Sequence, residues 1–461
     1  MTFELLEPVL NEKNEPCWLV ISGTEKIAAG NTKIVRNKRG KKPKIVNDAK
    51  LKVLPTFELK PMGLWRCRSC GCVVQTEGKE PIECYEDQGG CARKTDFEII
   101  TKKINTDLWK YPKWKDIPSD NIDMQGLYND LLNLTKRCII FVEDIHYKIF
   151  TLWIISTWKT GHWSTVCFPT FLGLINSGKS KCLDFIRETG YRMIHSSGVT
   201  FPAMVRASHY FQAGILLDEV QNKLNPRDEK GREYIDFIKP SYRIGSKYTV
   251  ADKEDQEQII SYKNFGFKAF AGERSFDSGL MDRTIIFDME KDFPEITDFQ
   301  DIQNDFDDIQ TRLLNYRYKL DAPPKLENGV LKGRTKEIFE CIICTGKHIG
   351  ENTEDLIKYA LNLEKEKEEE LTNTIEWDIL KAIKNAECNE TLDDTPTEIK
   401  YTDILQTIGW DTEKKTSQRL GYILIKKFRL KTKRKTNGTV LLLTEPKNER
   451  RLKYLFKRYK T

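Results

Sequence analysis

The sequence predicts a multi-domain α/β chain. A central domain built on a parallel sheet stands between a strand-rich module and a closing module of helices and a hairpin. Three observations predict this. A glycine-rich segment joins an apolar strand-like run to a helical pattern, and an acidic pair ends a second apolar run about forty residues on. Closely spaced cysteines mark the first module, and a basic Asn-Gly hairpin after three helical segments marks the last. At 461 residues the chain is too long for one core. The expected divisions are 1–105 (strand-rich, cysteine-bearing), 106–160 (linker and helical collar), 161–290 (central α/β core), 291–373 (helical lid) and 374–461 (closing module).

Charge and composition narrow the partners. The 75 basic and 69 acidic residues leave a net charge of 75 − 69 = +6, so placement matters more than the sum. From Lys426 to Thr461 there are 14 Lys and Arg against two acids, Glu445 and Glu449, a density that attracts polyanions. No apolar run has the length of a membrane span, and Met1-Thr2-Phe3-Glu4 does not open a signal peptide. A cytoplasmic protein without a membrane partner is expected. Its 12 cysteines then read as thiols or metal ligands rather than disulfides.

In the first module, short strands are expected at Cys17–Ser22, Lys33–Arg36 and Leu51–Leu54, with a basic loop, Arg36 to Lys42, that is either a solvated tip or a nucleic-acid contact. Then follow Cys67-Arg68-Ser69-Cys70-Gly71-Cys72, Cys84 and Cys91. Two thiolates two residues apart fit a tight knuckle, and a second pair completes a four-sulfur shell of the structural Zn²⁺ type. The expected ligands are Cys67, Cys70, Cys84 and Cys91, with Cys72 as a substitute for Cys70; the Cys84–Cys91 spacing is wider than usual. Trp109, Pro112, Trp114 and Pro118 mark a linker. Helical spacing follows over Gly126–Lys136 and Glu143–Thr157, with Trp153 and Trp158 read as core.

The core opens with an apolar run, Val166–Leu172, then Gly173-Leu174-Ile175-Asn176-Ser177-Gly178-Lys179-Ser180, then a helix over Ser180–Glu188. The segment satisfies G-x-x-x-x-G-K-[ST] in the strand–loop–helix setting that makes it a P-loop. Backbone N–H groups of such a loop close around phosphate oxygens, and the helix end adds a positive dipole. ATP and Mg²⁺ are therefore expected, bound by Gly173, Asn176, Ser177, Gly178, Lys179, Ser180 and Lys181. Lys179 would reach the β- and γ-phosphates, and the Ser180 hydroxyl would ligate the metal. A strand at Tyr191–Ile194 precedes a second, Gly214–Leu217, which delivers Asp218 and Glu219. Asp218 is the expected Mg²⁺ ligand and Glu219 the group that polarises the attacking water.

After a helix at Arg232–Lys239, two strands, Ser246–Val250 and Gln258–Tyr262, flank a charged tip. Lys247 at its base and Lys253 at its tip are candidate phosphate contacts. The next core strand, Phe267–Phe270, leads into Ala271-Gly272-Glu273-Arg274, which has no Asn, Thr or Ser to orient water. Arg283 precedes one more strand, and Arg334 opens a helix that carries Cys341 and Cys344 on one face as core. The last module is expected to hold helices at Ile375–Ala386, Thr402–Gly409 and Ser417–Phe428, then strands Arg429–Lys433 and Thr439–Leu443 around Asn437-Gly438. That pattern reads as a winged helix, with Lys433, Arg434 and Lys435 of the wing on DNA phosphates.

With these parts in order, the chain resembles the AAA+ replicative helicases of the minichromosome maintenance kind. It is most similar to their shorter relatives on plasmids, viruses and integrated elements, archaeal ones included. The P-loop, Asp218-Glu219 and Arg283 carry the resemblance, which runs over essentially the whole length. The wide Cys84–Cys91 pair, the missing water-orienting Asn and the compact first module depart from it. The resemblance implies a AAA+ core and a homo-oligomeric ring, expected as a hexamer, with ATP sites between subunits and single-stranded or forked DNA through the centre. It implies that the 246–262 hairpin projects into the pore. It also makes Arg283 the arginine finger acting on a neighbour's γ-phosphate, with Arg274 as second choice, and Arg334 a second phosphate sensor. The expected activity is ATP-dependent DNA unwinding in replication of a mobile element or virus. The alternatives are an ATP-switched origin-binding or helicase-loading protein and a zinc/winged-helix transcription regulator.

Overall fold

The computed structural model describes residues 3–14, 16–23, 34–35, 44–45, 56–61, 63–69, 73–76, 83–84, 91–92, 97–99, 109–195, 200–251, 259–327, 329–372, 374–388, 397–411, 413–436 and 438–459. The expected ligand Cys70, its substitute Cys72, the basic loop 36–42 and the hairpin-tip residue Lys253 lie outside them. The chain divides into two units, Met1–Ile357 and Lys358–Thr461.

The larger unit is organised by a five-stranded, all-parallel sheet. Across it the strands run Met193–His195, Gly214–Leu217, Lys268–Gly272, Phe168–Gly173 and Thr284–Met289. Parallel strands covered on both faces read as unbroken apolar runs. Gly214–Leu217 and Lys268–Gly272 are accordingly buried at every position. The first core strand in sequence, Phe168–Gly173, lies between the last two, so the chain leaves it for the far edge and later returns on its other side. Ligands of open α/β sheets gather outside the carboxyl ends of strands where strand order reverses in this way.

Helix Asp144–Thr157 is buried almost all round, as a helix sunk between layers must be. Its Phe150 contacts Phe171 of the sheet and Phe185 of helix Lys179–Thr189 at ring separations of 5.8 and 5.7 Å. Each buried phenyl ring contributes about 1.5–3 kcal/mol. Trp153 and Trp158 are core residues, and their indole N–H groups donate to the carbonyls of Cys167 and Thr189. Cys341 and Cys344 are buried as well, on helix Gly333–His348.

Ahead of this core come small antiparallel sheets. One orders Phe3–Leu10, Pro16–Gly23 and Thr56–Pro61; another orders Val73–Thr76, Gly63–Cys67 and Phe97–Ile99. The first strand docks on the linker, where Leu10 N–H donates to Pro112 O (3.0 Å) and Trp114 N–H to Leu10 O (2.9 Å).

The smaller unit has its own core, including Leu380, Ile383, Leu405, Leu420, Leu424 and Leu441. Helices Ile375–Cys388, Tyr401–Thr407 and Lys414–Tyr422 pack with a three-stranded antiparallel sheet in the order Glu398–Lys400, Gly438–Leu442, Thr432–Lys435. The third helix runs on into a π-turn, Ile423–Lys427. A last helix, Pro446–Tyr459, is tied to the sheet by Asn448, whose buried amide bridges Lys431 and the Leu442 carbonyl. Neither that helix nor strand Glu398–Lys400 is expected from the sequence. Among the described residues no helix is long and apolar enough to cross a membrane.

Candidate nucleotide site

The P-loop leaves the carboxyl end of strand Phe168–Gly173 and enters helix Lys179–Thr189. Two glycines are required by space and dihedral. A Cβ on Gly173 would lie 2.2 Å from the Met289 carbonyl oxygen, and Gly178 takes φ +84°. Asn176 also sits left-handed at φ 63°, a strained state for a residue with a side chain. These turns bring the chain back over the start of the helix. No side chain caps that helix, so its first N–H groups remain for an anion.

Lys179 Nζ donates to the Leu174 carbonyl, across the loop, and to Ser177 Oγ at 3.3 Å. Ser180 Oγ donates to Asp218 Oδ2 at 2.6 Å, so the two oxygens of an Mg²⁺ site adjoin across 38 residues of sequence. The other Asp218 oxygen accepts the Glu219 N–H at 2.7 Å. Glu219 stands left-handed at φ 54°, and Asn222 Nδ2 donates weakly to its Oε2 at 3.4 Å. A hydroxyl, a carboxylate, a second carboxylate and an ammonium at one helix N-terminus form a donor set that suits a metal-bound triphosphate. Lys181, expected at the phosphates, donates its Nζ to Ile296 O and lies 5.3 Å over the Phe299 ring.

Arg283 and Arg334 are brought together, but not here. Arg283 precedes Thr284, which pairs with Phe168 at the amino end of the P-loop strand, whereas Met289 pairs with Gly173 at the carboxyl end. Five rises of a parallel strand, about 17 Å, separate those ends. Both guanidinium carbons lie over the Tyr242 ring, Arg283 at 4.8 Å and Arg334 at 4.7 Å from its centroid. Arg274, the second choice as finger, is exposed after strand Lys268–Gly272.

The hairpin is formed by Lys247–Ala251 and Ile259–Lys263. Tyr248 anchors one face against Phe201 and Phe237, each 5.6 Å away. The other face pairs Lys247 with Lys263 and Thr249 with Ser261, whose hydroxyls are 3.1 Å apart. In the smaller unit Lys433 and Arg434 are exposed, and Lys435 forms a 2.7 Å ion pair with Glu398.

Cys67, Cys84 and Cys91 converge, their sulfurs all within 4.8 Å of one another. The Cys67–Cys91 separation is 3.9 Å, and Cys91 N–H donates to Cys84 Sγ at 3.3 Å. Four sulfurs at about 2.3 Å from a tetrahedral ion stand roughly 3.8 Å apart, so these thiols fit Zn²⁺.

Comparison with known proteins adds little. No protein-family model matches the chain, and no curated protein matches it. Among solved structures it is similar to the A form apo structure of the NrS-1 C-terminal region. The identity is 13% and the TM-score 0.34, over 72% of this chain and 79% of that one. A second structure of the same region, residues 305–718, gives 15% and 0.32, over 73% and 78%. At that level the likeness fixes neither fold nor chemistry.

One site residue escapes sequence reasoning. Gln221, two positions after Glu219, accepts the Glu273 N–H at 3.2 Å and places a carboxamide where the expected Asn is missing. Its only signal in the sequence is its closeness to the acidic pair.

Proposed function

We propose that the chain is an ATP-hydrolysing DNA translocase that unwinds duplex DNA during replication of a mobile element or virus, of the minichromosome maintenance-like AAA+ kind. The observation that carries this reading is the 2.6 Å contact of Ser180 Oγ with Asp218 Oδ2, at the carboxyl edge of a parallel sheet and beside an uncapped helix N-terminus. On this reading Lys179 exchanges the Leu174 carbonyl for the β- and γ-phosphates. Ser180 and Asp218 turn their oxygens to Mg²⁺, which supplies charge neutralisation when bound. Glu219, beside Asp218, orients the attacking water and draws its proton.

The site then needs a polynucleotide to act on. The Lys247–Lys263 face of the hairpin offers two ammonium groups and two hydroxyls for a strand's phosphates. The smaller unit, three helices with an antiparallel hairpin and a basic last helix, supports a winged helix with Lys433 and Arg434 on DNA. Cys67, Cys84 and Cys91 would hold a structural Zn²⁺ with Cys70 as fourth ligand, bracing the first module. A ring, expected as a hexamer, would set each nucleotide between two copies. Purified protein with Lys179→Ala should lose ATP hydrolysis and fork unwinding by at least about a hundredfold. Rates left intact would refute the reading.

A further inference from the structure

The smaller unit carries a cleft of about 320 Å³, lined by Ile375, Glu376, Arg419, Tyr422, Ile423 and Lys427. Two elements make it. Ile375 and Glu376 open helix Ile375–Cys388, and the other four follow the third helix, Lys414–Tyr422, into its π-turn, Ile423–Lys427. Tyr422 and Ile423 lie three and four positions after Arg419, so the three share one helix face. Single π-turns inside helices are rare and recur at functional sites. This one supplies two of the lining side chains.

The lining mixes an apolar wall with charged heads. Ile423 is buried and Ile375 packs against the unit's core, while Tyr422 leaves 61% of its surface to solvent. Arg419 sets its guanidinium carbon 4.8 Å from the Trp410 ring centroid, a contact that steadies the group without consuming its N–H donors. Lys427 Nζ pairs with Glu376 Oε1 and joins the two elements. The cleft therefore offers an aromatic face, aliphatic walls, cationic donors and one carboxylate acceptor. A nucleobase asks for that combination: a flat apolar body, and an edge that carries both donors and acceptors. An aliphatic ligand would leave the charged heads unmatched, and an acidic peptide would meet Glu376. The same helix end exposes Lys426 and Arg429, two cations for the phosphates that flank a bound base.

We propose that this cleft receives one unstacked base of single-stranded DNA, with the Tyr422 ring as its stacking platform. Stacking on an aromatic ring tolerates any base, because every base has a π-face. The bases of an intact duplex are paired and stacked on one another, so only an unpaired strand can place one in the cleft. Arg419 and Glu376 then address the edge of the base, and Lys426 and Arg429 its phosphates. The inference rests on the proposed reading only in choosing DNA. It adds a site distinct from Lys433 and Arg434 of the hairpin, whose contacts with phosphates do not depend on a base being unpaired.

The test is binding by the full chain without nucleotide, read by fluorescence anisotropy on three labelled probes. These are a short oligothymidylate, an abasic strand of the same length and a blunt duplex. Tyr422 is exposed, so Tyr422→Ala should fold; a circular dichroism spectrum matching wild type checks this. Tyr422→Ala should weaken binding of the oligothymidylate about tenfold, the scale of one lost base stack, and leave the abasic strand and the duplex within about twofold. Tyr422→Phe, which keeps the ring face, should bind as wild type does. Equal losses on the thymidylate and abasic strands overturn the inference, because the ring would then touch backbone rather than base. A loss on the duplex as large as on the single strand overturns it in favour of a groove contact. Unchanged affinity for all three probes also overturns it, and a smaller sedimenting species in that variant would make a second copy of the chain the occupant. ATP turnover of the wild type is measured alongside. A base-dependent Tyr422 effect without turnover refutes the ATPase reading alone, and turnover without that effect refutes this inference alone.

Discussion

Arg192 closes a 2.8 Å ion pair on Glu7, a residue 185 positions away, with both side chains almost wholly buried. Glu7 also accepts the hydroxyls of Tyr191, at 3.0 Å, and Tyr318. A carboxylate on the first strand of the chain therefore receives a guanidinium and two phenols from the sheet domain and the helix that follows it. This pins the first module to the parallel-sheet core.

Removing one partner of such a pair leaves a buried charge uncompensated, which costs about 3–5 kcal/mol. Glu7→Leu should lower the unfolding midpoint of the larger unit by several degrees in a thermal melt followed by circular dichroism. Glu7→Leu combined with Arg192→Met should cost less than Glu7→Leu alone. With Arg192→Met measured alone as well, losses that simply add would mean the pair is not coupled.

Acid should destabilise the larger unit earlier than its carboxylates alone would cause. Burial pushes His146 down to about 4, His162 to about 3 and His348 to about 4. Each folded value lies below the unfolded one, near 6.5, so the unfolded chain binds more protons below that pH. The stability these histidines contribute is whole above pH 6.5 and drains as pH falls toward 4. Melting temperatures at pH 7.5, 6.5, 5.5 and 5.0 should hold between the first two and fall through the rest. His348→Phe, which keeps a ring beside Tyr316, should flatten that fall.

Zinc content should be one ion per chain by inductively coupled plasma mass spectrometry. Cys84→Ser, at one of the two buried thiols of the convergent three, should abolish it. Full metal content in that variant would move the site elsewhere.

The Gly173–Ser180 loop is legible in the sequence because its determinants are local. Gly173, Gly178, Lys179 and Ser180 lie within eight residues, and the flanking apolar run and helical spacing state their own structure. Expected strand Gly214–Leu217 has the observed bounds, and the hairpin strands differ from expectation by one residue. Glu7 is illegible for the opposite reason. Nothing near Glu7 marks it as buried, since its partners join it only when the chain folds back across more than a hundred residues. Strand Glu398–Lys400 is three residues long and gains its identity from pairing with Gly438–Leu442. The last helix is hard to see in the sequence because its many basic residues mask its apolar face: Leu452 and Leu455 are three apart and buried.

The acidic pair offers the most direct test of the account. Steady-state ATP hydrolysis should be measured for wild type and Glu219→Gln, each with and without forked DNA. The account predicts wild-type turnover that rises when DNA is added, and a fall of about a hundredfold or more in Glu219→Gln, which still binds nucleotide. Turnover that ignores the DNA and survives loss of the Glu219 carboxylate would contradict it.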